Sequence, residues 1–330
     1  MFELSEVMSK PNAMFDWASK VVYNGEMTSD EKEITKGMDA WAREIGKKGD
    51  AGHEIAELVR KTFAPEEISA PSELISMIFD EDSIGEFDDY REEIDPKNTI
   101  VAHDAIIEGN VDRSFLEHKI GVPVWHNLAA ETDVSMQDLR RGGYRSVANL
   151  TNYLREALEL KRVQKIMAAI DAAIVSGQPN YIAEAEALPT TASMDALELY
   201  LHDVHENGDL VAFALSKYHQ AISKLPAAER FITDAERNMY NSTGFIDTYG
   251  GVTLMSYSSQ KKLADGSLIV PDKRVYGFAG KIGSAITRGE ARVLEEQDIN
   301  AERIHIKVTG FNFGYTIRDA KKIAKMVMAK

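Results

Sequence analysis

Apolar residues recur at three- and four-residue steps through Tyr153, Ala157, Leu160, Val163, Met167, Ile170 and Ile174, the spacing that turns one face of an α-helix toward a core. The pattern predicts a single helix from Ser146 or Asn149 to Gly177, with Pro179 just beyond as a stop. Its expected core face is Tyr153, Leu160, Val163, Met167, Ile170 and Ile174, and Arg155, Glu156, Glu159, Arg162 and Lys165 occupy the opposite face. At 1.5 Å per residue the rod is roughly 40 Å long, enough to span a domain.

Upstream, shorter periodic pieces are separated by Gly and Pro. Thr28 and Glu31 have capping-box spacing before Ile34, Met38, Trp41 and Ile45. A second helix is expected over Asp50–Phe63, stopped by Pro65, and a third after Pro71 through Leu74, Ile75, Ile78 and Phe79. These pieces are too short to build a core together, so residues 1–80 read as an arm laid across other structure. An acidic run follows, from Asp80, Glu81 and Asp82 through Glu86, Asp88 and Asp89 to Glu92, Glu93 and Asp95. It lacks the Gly and terminal Glu of a calcium-binding EF-hand loop and reads as a solvated loop. Thr99–Ala102 and Ala105–Ile107, a turn at Glu108-Gly109-Asn110, and Val111–Leu116 then predict a long, polar β-hairpin. Such a hairpin needs a second surface to lie on.

Downstream the pattern alternates. Helices are expected over Met194–His205, Ser216–Leu225 and Asp234–Tyr240, and strands over Leu210–Ala214, Val252–Tyr257, Leu268–Val270 and Arg274–Phe278. Two further strands, Arg303–Val308 and Phe311–Ile317, precede an amphipathic helix from Asp319 that carries Ile323, Met326 and Val327.

Composition narrows the class. The 330 residues are 44% hydrophobic, which indicates a folded chain, and carry a net charge of -15, which opposes general binding to phosphate-rich nucleic acid. With no cysteine, disulfides, thiol catalysis and cysteine zinc sites are excluded. No segment approaches the roughly 18 apolar residues of a membrane span, and the opening Met1-Phe2-Glu3-Leu4-Ser5-Glu6-Val7 lacks the basic-then-apolar order of a secretory signal.

Catalytic signatures are weak. His202 and His205 share a helix face beside Asp203 and Glu206, but no third metal ligand is signposted. The stretch Gly277–Ser284 is only superficially a phosphate loop, because Val275 stands where its first Gly belongs and Ile282 where Ser or Thr should follow Lys281. Arg140, Arg141 and Arg145 form a basic patch before the long helix; on so acidic a chain they are expected to answer a carboxylate on a neighbouring subunit. No catalytic residue, cofactor site or metal site is assigned, and the chain is not read as an enzyme.

The order of these elements resembles the Hong Kong 97-type coat-protein fold of tailed bacteriophages, an α+β fold. Three stretches also look like phage capsid sequences. They are Ala130 through Arg140-Arg141-Gly142-Gly143-Tyr144; Phe231-Ile232-Thr233-Asp234 with Gly244 and Gly250-Gly251-Val252-Thr253-Leu254; and Asp298 through Tyr315-Thr316-Ile317-Arg318-Asp319-Ala320. The resemblance covers roughly residues 80–330. It implies a helical N-terminal arm over 1–80, an extended hairpin or E-loop region over 81–130, a P-domain with the long spine helix over 131–190, an A-domain over 191–295, and returning P-domain strands with a C-terminal segment over 296–330.

The function it implies is that of a major capsid protein. Such a protein self-assembles into hexamers and pentamers of an icosahedral shell around double-stranded DNA, without sequence-specific binding and without a membrane. Implied partners are the chain itself, a scaffolding protein, a portal and a possible decoration protein, with assembly in the host cytoplasm and procapsid maturation. Candidate contacts between subunits are Arg140, Arg141, Arg145, Glu159 and Arg162. Encapsulin-like nanocompartment shells share this fold and are the alternative, with an α/β enzyme a distant third. Some family members join a hairpin lysine to an asparagine near the last strands with help from a buried carboxylate. Lys97, Lys119 and Asn300 are present here, but the helper's place falls at Thr309 and Gly310, so no covalent cross-link is expected.

Overall fold

The computed structural model describes residues 11–45, 47, 55–56, 73–94, 119–206, 208–225, 245–259, 262–263, 265–289, 292–298 and 302–329. The hairpin expected over 99–116, the helix over 234–240, most of that over 50–63, and residues Lys97 and Asn300 lie outside them.

Along the chain, α1 (Pro11–Val22), α2 (Ser29–Ile45) and α3 (Glu73–Ile78) precede β1 (Phe79–Ile84), β2 (Glu92–Ile94), β3 (Lys119–Gly121) and β4 (Val124–Ser135). Next come α4 (Met136–Gly142) and the long helix α5 (Tyr144–Ala173). The alternating region holds β5 (Tyr181–Glu184), α6 (Thr191–Val204), β6 (Leu210–Leu215), α7 (Ser216–Ser223), β7 (Thr248–Tyr249), β8 (Val252–Tyr257) and β9 (Arg274–Ala279). Last are β10 (Gly283–Arg288), β11 (Arg292–Asp298), β12 (Arg303–Ile317) and β13 (Ile323–Met328).

Two sheets organise the core. In the first, β10 and β11 follow one another along one side of β12, β1 lies beyond β10, and β4 pairs with the other side of β12 over nearly its full length. Arg303–Val308 and Phe311–Ile317 are therefore one fifteen-residue strand, not two. The register against β4 shifts between Val308 and Phe311, where Gly310 has a φ of 77°. The buried set passes from Ile304, Ile306 and Val308 to Phe311 and Phe313 across that point. A bulge adds the residue that keeps both apolar sets on the core side of the pleat, so the break in alternation marks a kink and not a turn.

The second sheet runs β5-β13-β9-β6-β8-β7, with α6 and α7 packed on it. β13 stands where the sequence pattern predicts a helix. It pairs in parallel with β5 and antiparallel with β9, and Ile323, Ala324, Lys325, Met326 and Met328 are all buried. Two flanking strands satisfy its backbone on both edges, and that gain overrides a short 3.6-residue period. Lys325 donates to the Asp171 carbonyl at 2.6 Å and pairs with its carboxylate at 3.2 Å. The expected strand Leu268–Val270 is reduced to an isolated bridge between Lys262 and Leu268, although Ile269 and Val270 are buried.

The entry to α5 is a corner between two helices. Ser135 caps α4 by accepting from the amides of Gln137 and Asp138. Gly143, with φ 51° and ψ -125°, then redirects the chain into α5. α2 closes over this corner: a Cβ at Gly143 would meet Asp39 Oδ1 at 2.0 Å, and the same oxygen accepts from the Tyr144 amide at 3.5 Å. Gly143→Ala combines backbone strain with that clash. It is expected to lower unfolding free energy by at least about 1–3 kcal/mol in a denaturant titration.

Candidate assembly surfaces

The long helix is covered along more than one side: α1 and α2 pack on it as well as β4 and β12. Val163, Met167, Ile170 and Ile174 are buried, and Leu160 lies half-buried at the core edge. Tyr153, expected among them, is 54% exposed. Conversely Arg155 and Arg162, expected on the outer face, are 1% and 3% exposed. Arg155 Nε pairs with Glu159 at 3.2 Å, and Arg162 Nη2 with Glu81 of β1 at 3.5 Å. Burial pushes the Glu159 and Glu81 carboxyls above the usual range, against the pull of the neighbouring arginines, and burial pulls Arg162 down. Arg162 is therefore an internal strut and is corrected from the set of candidate subunit contacts. The side chain of Glu159 is about one-third exposed, at 32%.

The described arm helices rest on the chain's own α5. Trp17, Ala18, Met38 and Ala42 are buried, Ser19 Oγ donates to Asn152 Oδ1 at 2.9 Å, and the Tyr23 hydroxyl donates to Glu156 at 3.0 Å. The capping box at Thr28 and Glu31 is present: the Thr28 amide donates to Glu31 Oε2 at 2.7 Å, and the Glu31 amide to Thr28 Oγ1 at 3.4 Å.

The acidic run divides into a buried part and an exposed part. Glu92, on the β2–β3 ribbon at the root of the expected hairpin, is 7% exposed and is not solvated. It accepts from Ser284 Oγ at 2.6 Å and from Thr316 Oγ1, and pairs with Arg318 Nε at 2.9 Å. Those partners belong to β10, β12 and the turn after it, so the hairpin root is pinned to the first sheet. Asp80 meets Lys281 at 2.8 Å and Arg318; burial raises its carboxyl, but the two cations outweigh it and hold it below the usual range. Asp82, Glu86, Asp88 and Asp89 remain exposed. Between them Phe87 is 94% exposed.

Arg140 pairs with Glu302 at 3.3 Å, while Arg141 and Arg145 are exposed. Arg141 lines an open groove of about 690 Å³ between β4 residues 130–135, α4 and the first half of α5. Leu150, Leu154 and Val134 supply its apolar lining, with Tyr153, Asn149 and Asp138 around them.

The other candidate chemistry dissolves into structure. His202 Nε2 lies 3.0 Å from the Gly250 carbonyl oxygen, and among the described residues no group of three His, Asp or Glu is placed to hold a metal. Gly277–Ser284 is the link from β9 to β10, so a strand follows where a phosphate loop needs a helix, and Lys281 is engaged by Asp80. No described helix is long and apolar enough to cross a membrane. Glu92, the groove and the exposed Phe87 were missed in the sequence. Only Glu92 left a signal there, a carboxylate on a short segment flanking the hairpin.

The family described as "SPbeta prophage-derived putative capsid protein YonB" matches residues 6–323. The chain belongs to the YonB family. No curated protein matches it significantly in sequence. Solved structures similar to this YonB-family chain include the capsid of cyanophage P-SCSP1u (TM-score 0.55, 10% identity, 78% of this chain and 88% of that one). One from Microbacterium phage Oxtober96 has a TM-score of 0.54 at 13% identity, over 79% and 92%. The mature capsid of bacteriophage PhiM1 has 0.53 at 10%, over 76% and 86%. At such identities the likeness is one of fold, and that fold is the Hong Kong 97 type. The YonB-family chain is a phage capsid protein, a structural component of the virion.

Proposed function

We propose that this capsid protein forms the hexamers and pentamers of an icosahedral shell around double-stranded DNA, assembled in the host cytoplasm, and that it has no catalytic activity of its own. The observation that carries this reading is the match of the capsid family over residues 6–323 on a Hong Kong 97-type frame. Scaffolding protein, portal and possible decoration protein are the further partners we propose. The net charge of -15 supports enclosure of DNA without adhesion to it. Arg140, Arg141, Arg145 and Glu159 are the proposed contacts between subunits. Electron microscopy of the purified chain tests the reading, with closed icosahedral shells or discrete capsomers expected. A monodisperse monomer at all concentrations overturns it, and shells loaded with protein cargo instead of DNA favour the nanocompartment alternative.

We further expect the shell to be held without covalent links. Positions 309 and 310, within the bulge of β12, are Thr and Gly and offer no base to deprotonate a lysine. Boiled particles should run as a single band near 36.7 kDa on a denaturing gel. A ladder of multimers counts against this.

A further inference from the structure

Among the described residues nothing covers Phe87. At 94% exposure it gives up nearly all of the burial that an aromatic ring provides in folding. The loop that carries it is nevertheless well built. The Gly85 amide donates to Asp88 Oδ2 at 3.0 Å and the Asp88 amide to the Gly85 carbonyl at 3.2 Å, while Glu86 pairs with Arg292 at 2.5 Å. Arg288 Nη2 donates to the Asp88 carbonyl. A tied-down loop holding a large apolar side chain in water is an anchor awaiting a pocket.

The groove beside Tyr153 is such a pocket, with room for an aromatic ring and the residues that flank it. Charge decides which occupant fits. On the groove's β4 wall, Glu131 is already answered by Lys307 at 3.6 Å, and Asp133 by His305 and by Arg303 at 3.8 Å. Asp138 sits in the first turn of α4, where the helix amides offset its charge. Arg141 lines the groove and Arg145 is exposed at the start of α5, and neither has a carboxylate in any ion pair seen among the described residues. On the loop Glu86, Asp88 and Asp89 surround Phe87, with Glu86 held by Arg292 and Asp89 by Arg91 at 3.4 Å in pairs that are both exposed.

A loop cannot reach the groove of its own chain. It is fastened to β10 and β11 on one side of β12, whereas the groove is walled by β4 on the other side. Anchor and pocket on opposite flanks of one sheet make a head-to-tail contact, which repeats into rings and closed shells.

We propose that the Phe87 loop of one copy inserts into the Tyr153 groove of the next, with its acidic flanks meeting Arg141 and Arg145. The assignment rests on the shell-forming reading above. Absence of cysteine makes a clean test possible. Chains carrying Asp89→Cys are mixed with chains carrying Asn149→Cys, assembled and oxidised; a disulfide between the two can form only across copies. A cross-linked two-chain band on a non-reducing gel is expected. In parallel, Phe87→Ser should leave the unfolding midpoint of the subunit unchanged while raising the concentration needed for assembly about tenfold or more. Asp89→Arg and Arg141→Glu should each impair assembly, and their combination should recover it. Wild-type shells that give no mixed cross-link, with Phe87→Ser assembling normally, overturn the contact and leave the shell reading intact. No assembly from the wild-type chain removes the shell reading itself.

Discussion

Met167→Asp is expected to leave no soluble folded chain, whereas Tyr153→Asp, fourteen residues earlier on the same helix, should fold. The two residues belong to one apolar period in the sequence, and only their surroundings separate them. Met167 is 0% exposed within the main core. A carboxylate there would be buried without a partner, or neutralised at the cost of a large upward pKa shift, and would leave a poorly filled cavity as well. The sum is several kcal/mol, a large share of the 5–15 kcal/mol that holds a typical domain together. Tyr153 lines the groove and is 54% exposed, so its replacement should change subunit stability by about 0.5 kcal/mol or less. Soluble yield and thermal unfolding of the two variants are the measurements. Equal tolerance would mean that the helix is rotated from the orientation described.

Arg162 gives the second large effect. Its side chain is 4% exposed and its partner Glu81 20%, so Arg162→Ala leaves a half-buried carboxylate facing a cavity. A loss of about 3–5 kcal/mol is expected by denaturant titration. Replacing both residues, as Arg162→Met with Glu81→Leu, should instead be neutral or stabilising by about 1–4 kcal/mol, because two charges no longer need to be desolvated. If the double variant is as unstable as Arg162→Ala, the charges matter in a way that burial does not capture.

The pair also has a pH signature. Burial raises the Glu81 carboxyl above its ordinary 4.5 in the native state. The folded chain therefore takes up this proton before the unfolded chain does. The associated stability is fully present below pH 4.5 and is lost as pH rises through the native value. Glu81→Gln should accordingly match the wild type below pH 4.5 and gain on it as pH rises from there through the native value. The opposite slope would show that the ion pair with Arg162 outweighs burial.

Local pattern was sufficient for several elements of the alternating region, where a short apolar run bounded by turn residues reads as a strand whatever covers it. The helix Thr191–Val204 and the strands Leu210–Leu215, Val252–Tyr257 and Arg274–Ala279 lie within three residues of where their periodicities place them. Thr190, which accepts from the Ser193 amide, accounts for the earlier start of that helix. Sequence was a weaker guide to the candidate site. Arg140, Arg141 and Arg145 stood out because basic clusters are conspicuous on an acidic chain. Phe87 was hidden inside an acidic run, and nothing local distinguishes a phenylalanine that will be buried from one left 94% exposed.

By itself, then, the chain's pattern determined the long helix, several helices and strands of the alternating region and the interruption at residues 309–310, since each depends on residues a few positions apart. Tertiary structure decided what those patterns could not encode. β13 is a strand because β5 and β9 offer it hydrogen bonds on both edges. β12 is continuous because β4 runs beside it through the bulge. Arg155 and Arg162 are inside because the long helix is covered along more than one side, by helices and by sheet. Glu92 is buried because residues 192 and more positions away supply its donors. Each of these outcomes turns on a partner distant in sequence, and a periodicity records which faces are apolar without recording what will cover them.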